Sequence, residues 1–145
     1  MTDAIQRWER DSSPQADLLG LRVLVVDDDA DTLDLLEEIL TDAGAVVACA
    51  DSVQRAFELV VVARPQVIVS DIEMPDENGY SFLRNLRSVL DEDGGKTPAL
   101  ALTGRALPED RARALASGFN LHIAKPTTAG ALVRALSALA RATGS

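Results

Sequence analysis

Residues 21–29 read LRVLVVDDD, and this stretch decides the fold. Its apolar part, Leu21–Val26, is short, rich in β-branched residues and continuous rather than alternating, which is typical of a strand buried on both faces. Three aspartates follow it at once. Since ligands of parallel sheets bind beyond the carboxyl ends of the strands, the stretch predicts both a buried strand and a polar site at its end.

The rest of the chain repeats this strand pattern in alternation with helical spacing. Four more apolar runs have strand length: Val46–Ala50, Val67–Ser70, Ala99–Leu102 and Leu121–Ala124. The segments that follow the strands have the spacing of amphipathic helices: Ala30–Ala43, Ser52–Arg64, Tyr80–Leu90, Pro108–Ser117 and Thr127–Arg141. Five strands in strict alternation with five helices predict an α/β fold with a small doubly wound parallel sheet.

Length and composition predict a single domain preceded by a tail. The chain has 145 residues, of which 47% are hydrophobic, and this suits one core. Residues 1–20 are mostly polar, so we interpret them as a flexible tail or linker. Residues 21–141 form the predicted domain, and residues 142–145 a short C-terminal tail.

The net charge of the chain limits the classes of partner that we expect. A formal net charge of −9 argues against nucleic acid and anionic membranes, which attract clustered Lys and Arg, and favours proteins or cations. No apolar run approaches the roughly 20 residues that span a bilayer. A single cysteine and the absence of a secretory signal pattern favour a reducing, cytoplasmic location.

Polar side chains end four of the five predicted strands. Asp27 and Asp28 follow the first strand, Asp71 the third, Thr103 the fourth and Lys125 the fifth. Clustered carboxylates repel one another, so we expect a cation, and oxygen ligands favour Mg²⁺ or Mn²⁺. A carboxylate beside a metal ion and a lysine has the parts needed to form an aspartyl phosphate.

Each of these residues also has an ordinary structural interpretation. Asp28 or Asp29 suits the N-cap of the following helix. Asp71 and Thr103 suit turns, and Lys125 suits an exposed surface. Their arrival at one edge of the sheet favours the functional interpretation over these separate ones.

Four strings carry a resemblance to a known family. VVDDD at 25–29, SDIEMP at 70–75 with Asn78-Gly79, LTG at 102–104 and AKP at 124–126 occur in this order. Together they resemble the receiver domain of bacterial two-component response regulators, over residues 21–141. The resemblance implies a flavodoxin-like fold with strand order 2-1-3-4-5.

The resemblance also implies a metal-dependent phosphorylation site. It makes Asp71 the phosphoacceptor and Asp27 and Asp28 the acidic pair for Mg²⁺, with the main-chain carbonyl of Glu73 as a further ligand. The donor would be a histidine kinase or a histidine phosphotransfer protein, and the domain would later hydrolyse its own aspartyl phosphate. Such a domain is a switch rather than an enzyme that turns over a separate substrate.

The resemblance also implies roles for residues of the fourth and fifth strands in the conformational response to phosphorylation. Thr103 would be the switch hydroxyl and Lys125 the ion-pair partner of the phosphoryl group, followed by a cis Pro126. His122 stands where many receivers carry Tyr or Phe, so it is both a switch candidate and an ordinary edge-strand histidine. Glu73 and Arg105 would tune the lifetime of the phosphate.

The predicted output surface is helix four, strand five and helix five. On helix five, Leu132, Leu136 and Leu139 recur at helical spacing and are predicted to be core. A monomer and a phosphorylation-dependent dimer are both compatible with the sequence. So are a stand-alone regulator and the receiver of a larger hybrid kinase.

Two other functions remain as alternatives. Asp27-x-Asp29 after a strand resembles the nucleophile motif of haloacid-dehalogenase-type phosphohydrolases, but Asp31 stands where their threonine is expected. A pseudo-receiver that never carries phosphate is the other alternative. Retention of all four strings argues against it.

Overall fold

The computed structural model describes residues 17–74, 78–89, 95–104, 107–125 and 127–142. Strands and helices alternate along these residues. The elements are β1 (Arg22–Val26), α1 (Ala30–Asp42), β2 (Val46–Ala50), α2 (Val53–Ala63), β3 (Val67–Ser70), α3 (Gly79–Val89), β4 (Ala99–Thr103), α4 (Pro108–Ser117), β5 (Leu121–Ala124) and α5 (Ala129–Ala142). All ten predicted elements are present, so the prediction of an alternating α/β chain is confirmed.

The five strands form one parallel sheet in the order β2-β1-β3-β4-β5. This order confirms the flavodoxin-like doubly wound fold. The order reverses at β1, which lies between β2 and β3, and Val26 there pairs in register with Ser70. The residues that follow, Asp27 and Asp71, therefore leave neighbouring strands at the same level, at the place where doubly wound sheets bind ligands.

The core has two layers, one on each face of the sheet. In the first layer, Val23 and Val25 pack with α1 and α5. In the second layer, Leu24 and Val26 pack with α2 and α3. Leu132, Leu136 and Leu139 of α5 belong to the first layer, as predicted from their spacing. Burial on both faces explains why the three inner strands, β1, β3 and β4, are rich in consecutive apolar residues.

The packed domain begins earlier than predicted. Leu18 is only 1% exposed and belongs to the first layer. Its amide donates to the carbonyl of Ala43 at 3.0 Å, and the amide of Gly20 donates to that of Gly44 at 2.9 Å. Residues 17–20 are therefore part of the folded body and not of the tail. The remainder of the predicted tail, residues 1–16, and residues 143–145 lie outside the described residues.

Two helices begin later than predicted because a hydroxyl caps them. Ser52 Oγ accepts from the amide of Arg55 at 3.2 Å, so Ser52 is the N-cap of α2 rather than its first residue. Thr128 Oγ1 likewise accepts from the amide of Ala131 at 3.0 Å, and α5 begins at residue 129. Both caps satisfy amides that have no partner within the helix.

Arg87, near the end of α3, hydrogen-bonds to the segment before β4 and to the segment between α4 and β5. Its Nε and Nη2 donate to the carbonyl of Gly118 at 3.2 and 2.8 Å. Its Nη1 donates to the carbonyls of Gly95 at 3.0 Å and Thr97 at 2.5 Å. Gly95 and Thr97 precede β4, and Gly118 lies between α4 and β5. One guanidinium group thus fixes the chain where it enters two strands.

Candidate functional site

Three carboxylates meet at the carboxyl edge of the sheet. Asp27 and Asp28 follow β1, and Asp71 follows β3. One carboxylate oxygen from each lies within 4.8 Å of the others. Asp27 is buried, Asp71 is half-buried and Asp28 is exposed. The cluster therefore opens to solvent on the Asp28 side.

Asp29, the third aspartate of the run at 27–29, has a structural role. Asp29 Oδ2 accepts from the amide of Thr32 at 3.1 Å and from its hydroxyl at 2.6 Å, which makes Asp29 the N-cap of α1. The hydrogen bonds from Thr32 lower the pKa of Asp29. The capping interpretation thus holds for Asp29, whereas Asp28 belongs to the cluster. Since Asp29 is committed to the helix, the Asp27-x-Asp29 pair does not form the paired site of the phosphohydrolase alternative.

Asp27 is a buried carboxylate with two partners. Its Oδ1 accepts from the amide of Asp29 at 2.9 Å, and its Oδ2 lies 3.4 Å from Lys125 Nζ. A buried carboxylate is costly unless it is hydrogen-bonded or paired, and here it is both. The side chain is therefore held firmly at the base of the cluster.

Asp71 is oriented by the chain that follows it. Its Oδ1 accepts from the amide of Ile72 at 2.8 Å and, more weakly, from that of Glu73 at 3.4 Å. Lys125 Nζ lies 4.0 Å from the same oxygen. Burial raises the pKa of Asp71 and Asp27 adds to this, while Lys125 opposes it. The negative charge on Asp71 would therefore be stabilised by a further cation.

Thr103 and Lys125 lie at the same edge of the sheet, at the ends of β4 and β5. Thr103 is the last residue of β4 and is fully buried, and its carbonyl accepts from the amide of Lys125 at 2.6 Å. The side chain of Lys125 is 33% exposed and reaches across to Asp27 and Asp71. The structure thus brings together all five residues that the sequence placed at this edge. Pro126 lies outside the described residues.

His122 lies under the second layer of helices. It pairs in register with Ala101, and its neighbours Leu121 and Ile123 pack against the first layer, so its own side chain lies on the opposite face. Thr103, two residues beyond Ala101, shares that face. Among the described residues, the buried Nε2 of His122 has no hydrogen-bond partner. Its role in the switch stays a prediction.

A groove leads from the cluster toward α4. Its volume is about 490 Å³, and its lining mixes acidic, apolar and aromatic side chains: Asp28, Ile72, Glu73, Met74, Asn78, Tyr80, Asp110 and Arg113. The guanidinium of Arg113 lies over the Tyr80 ring, 4.2 Å from its centroid. Glu73 is exposed where it lines the groove. Arg105, the other residue expected to tune the phosphate lifetime, lies outside the described residues.

Sequence reasoning gave no role to Gly79, although it lies against the cluster. The amide of Gly79 donates to the carbonyl of Ile72 at 2.7 Å. Its Cα is so close to the main chain of Asp71 that there is no room for a side chain. The pair Asn78-Gly79 was the only signal of this contact, and such a pair is typical of many turns.

The fold and this edge define a class of protein: a doubly wound α/β domain with an acidic site at its topological switch point. Residues 23–137 match the family model of the response regulator receiver domain. The chain belongs to this family. The match confirms the resemblance read from the four strings and supports the receiver over the phosphohydrolase.

Known proteins agree with this assignment. The chain is 41% identical over 117 residues to an uncharacterized 14.6 kDa protein of Leptolyngbya boryana, which covers 81% of this chain and 88% of that protein. It is 39% identical over 124 residues to the transcriptional regulatory protein PrrA of Mycobacterium tuberculosis, which covers 86% of this chain and 52% of that protein. The chemotaxis response regulator CheY4 of Vibrio cholerae superimposes with a TM-score of 0.76 at 30% identity, over 83% of this chain and 98% of that one.

The extent of these matches varies with the relative. The chain spans about half the length of the curated transcriptional regulators that it matches, and 7% of a hybrid signal transduction histidine kinase of Dictyostelium discoideum. Receiver domains thus occur in relatives of different overall size. Within the described ranges, no helix combines the length and apolar character needed to cross a membrane.

Proposed function

We propose that this chain is a two-component or phosphorelay receiver that accepts a phosphoryl group on Asp71 from a phosphohistidine donor, in a Mg²⁺-dependent reaction. The observation that carries the proposal is the convergence of Asp27, Asp28 and Asp71 beside Lys125, at the switch point of a receiver fold. The donor is a histidine kinase or a histidine phosphotransfer protein. The single cysteine, which cannot form an internal disulfide, supports a reducing, cytoplasmic location.

The hydrogen bonds of Asp71 indicate which oxygen attacks. Oδ1 accepts from two main-chain amides, so we assign Oδ2 as the nucleophile. Oδ2 forms a bond to phosphorus while the bond from phosphorus to the donor imidazole nitrogen breaks, and that nitrogen keeps the electron pair. Water later attacks phosphorus, the bond from phosphorus to Oδ2 breaks, inorganic phosphate leaves and Asp71 returns to a carboxylate. No separate substrate is turned over, so the domain acts as a switch rather than as an enzyme.

The donor set fits a hard divalent cation. It offers carboxylate oxygens within 4.8 Å of one another, one buried and the others accessible, which suits Mg²⁺ or Mn²⁺. Asp27, Asp28 and Asp71 would hold the ion together with the main-chain carbonyl of Glu73. When bound, such an ion supplies positive charge to the phosphoryl oxygens. Lys125, which follows β5, supplies a second positive charge.

The response is proposed to run through β4 and β5. The Thr103 hydroxyl would turn toward the phosphoryl group, Lys125 would pair with it, and His122 would adjust on the shared face of the sheet. The surface so changed is α4, β5 and α5, through which the domain would contact its downstream protein, as a monomer or as a phosphorylation-dependent dimer. Glu73 and Arg105 would set the lifetime of the phosphate.

Incubation with a small acyl phosphate and Mg²⁺, followed by intact-mass measurement, tests this function. We expect one added phosphoryl group on the wild type and none on Asp71→Asn. Asp29→Asn is the matched control, because asparagine is also a good N-cap and Asp29 lies outside the cluster. It should be modified like the wild type.

Other outcomes would contradict the assignment. Modification of Asp71→Asn would remove Asp71 as the acceptor. An unmodified wild type would favour the pseudo-receiver. Steady hydrolysis of a generic phosphate ester would revive the phosphohydrolase.

Replacing Lys125 with alanine is expected to separate phosphorylation from the response. Lys125 supplies charge and not the attacking atom, so Asp71 should still be phosphorylated. The change in α4 and α5 on phosphorylation, measured by amide hydrogen exchange, should be largely lost. Lys96→Ala is the matched control, because the exposed Lys96 is the other of the two lysines in the chain. An undiminished exchange response in Lys125→Ala would remove Lys125 from the switch.

A further inference from the structure

The first residue of α3 lies against the main chain of the proposed phosphoacceptor. A Cβ atom added to Gly79 would lie 2.5 Å from the carbonyl oxygen of Asp71, 3.0 Å from Ile72 Cα and 3.3 Å from the carbonyl carbon of Asp71. All three atoms belong to the backbone. No change of side-chain rotamer would therefore make room for a methyl group at residue 79.

On the helix side, α3 is held along its length. Phe82, Leu83 and Leu86 are fully buried in the second layer. The ring of Phe82 packs edge-on against Phe57, with centroids 5.5 Å apart. Arg87 holds the far end of the helix through its bonds to three carbonyls. A closely packed helix of this kind resists a shift away from the sheet.

On the sheet side, the acceptor is held by the strands. The amide of Asp71 donates to the carbonyl of Val26 at 2.9 Å, which continues the pairing of β1 with β3. Ile72 is only 2% exposed and is packed in the second layer. With both sides fixed, the strain of an added methyl group falls on the peptides of residues 71–73. These are the peptides whose amides orient Asp71 Oδ1.

We propose that Gly79 is a positioning residue for phosphoryl transfer, and that the absence of its side chain sets where the acceptor carboxylate lies. This inference rests on the proposed function. Gly79 touches neither donor nor phosphate, and acts through the Asp71 and Ile72 peptides. Close packing of α3 on these peptides holds the amides that orient the Asp71 carboxylate relative to Asp27 and Asp28. The carbonyl of Glu73 is placed by the same short segment.

Gly79→Ala and Gly104→Ala test the inference as a matched pair. Both add one methyl group near the same edge of the sheet, but at Gly104 a Cβ meets nothing within 4 Å. The rate of phosphoryl gain from a small acyl phosphate is measured at saturating Mg²⁺, and the Mg²⁺ dependence is measured separately. We expect Gly79→Ala to gain the phosphoryl group about 100-fold more slowly than the wild type, because a displacement of the reacting carboxylate by about 1 Å has an effect of this size. It should also need more Mg²⁺, whereas Gly104→Ala should match the wild type.

A destabilised variant separates positioning from general loss of stability. Leu18→Ala removes a buried side chain from the first layer, on the opposite face of the sheet from α3. All variants are assayed in an osmolyte that favours the folded state, with folding checked by circular dichroism. Per folded molecule, Leu18→Ala should react at the wild-type rate. If it slows as much as Gly79→Ala does, the effect is one of stability and the inference is overturned.

The remaining outcomes are also decisive. A Gly79→Ala rate equal to that of Gly104→Ala would overturn the positioning role while leaving the proposed function intact. An unmodified wild type would instead remove the proposed function.

Discussion

Replacing Arg87 with leucine is expected to lower the free energy of unfolding by about 3 kcal/mol. The guanidinium donates to the carbonyls of Gly95, Thr97 and Gly118, so its loss removes the donor from three acceptors in partly buried connections. Leaving such a group without a partner costs roughly 1–3 kcal/mol, and relaxation toward water recovers part of that sum. Burial also lowers the pKa of Arg87. Urea denaturation at neutral pH measures the change.

Two variants control this experiment. Arg84 is exposed on the same helix, so Arg84→Leu should change stability by less than about 0.5 kcal/mol. Arg87→Lys should fall between wild type and Arg87→Leu, because an ammonium group keeps the charge but lacks the planar fork. Equal stabilities of Arg87→Leu and Arg84→Leu would show that the bonds of Arg87 contribute nothing. Full stability of Arg87→Lys would show that its charge matters and its geometry does not.

Replacing Leu18 with alanine is expected to cost about 3 kcal/mol as well. Leu18 is 1% exposed in the layer formed with α1 and α5, and truncation leaves a cavity there that the surrounding helices fill only in part. The main-chain bond from Leu18 to Ala43 remains, so the variant reports on the side chain. The loss is measured by the same denaturation.

The next residue provides the control. Leu19 is 78% exposed, and Leu19→Ala should leave stability nearly unchanged. The contrast between adjacent leucines tests whether residues 17–20 belong to the folded domain. If both variants behave like the wild type, the domain begins at Leu21, as the sequence predicted.

The fold was predictable because its three inner strands are buried on both faces. Apolar runs such as Val67–Ser70 are most simply interpreted as buried strands. Because helical segments alternate with them, the strands are expected to form a parallel sheet covered by helices. The strand order itself came from the family resemblance. Periodicity does not state which strands are neighbours.

The candidate site was predictable in its members but not in their geometry. Asp27, Asp71, Thr103 and Lys125 stand out because each is polar directly after an apolar run. Which aspartate of the run caps α1 was left open, since Asp28 and Asp29 have the same chemistry. Only the hydrogen bonds to Thr32 distinguish them.

The features that sequence reasoning missed depend on distant contacts. Leu18 stands beside Leu19, and nothing local indicates that Leu18 is buried in the first layer while Leu19 is exposed. Arg87 is one of several arginines in the chain, and its acceptors are main-chain carbonyls, which every residue carries. The close approach of Gly79 to Asp71 arises from the packing of α3, which no local pattern encodes.

The position of the phosphoryl group tests the central claim most directly. The wild type is phosphorylated with a small acyl phosphate and Mg²⁺, then reduced with borohydride, which converts an aspartyl phosphate to homoserine. Peptide sequencing then locates the modified residue. We predict homoserine at residue 71 alone, and only after treatment with both donor and metal ion. Homoserine at Asp27 or Asp28, or a phosphoryl group that resists reduction on another side chain such as His122, would contradict the assignment of Asp71.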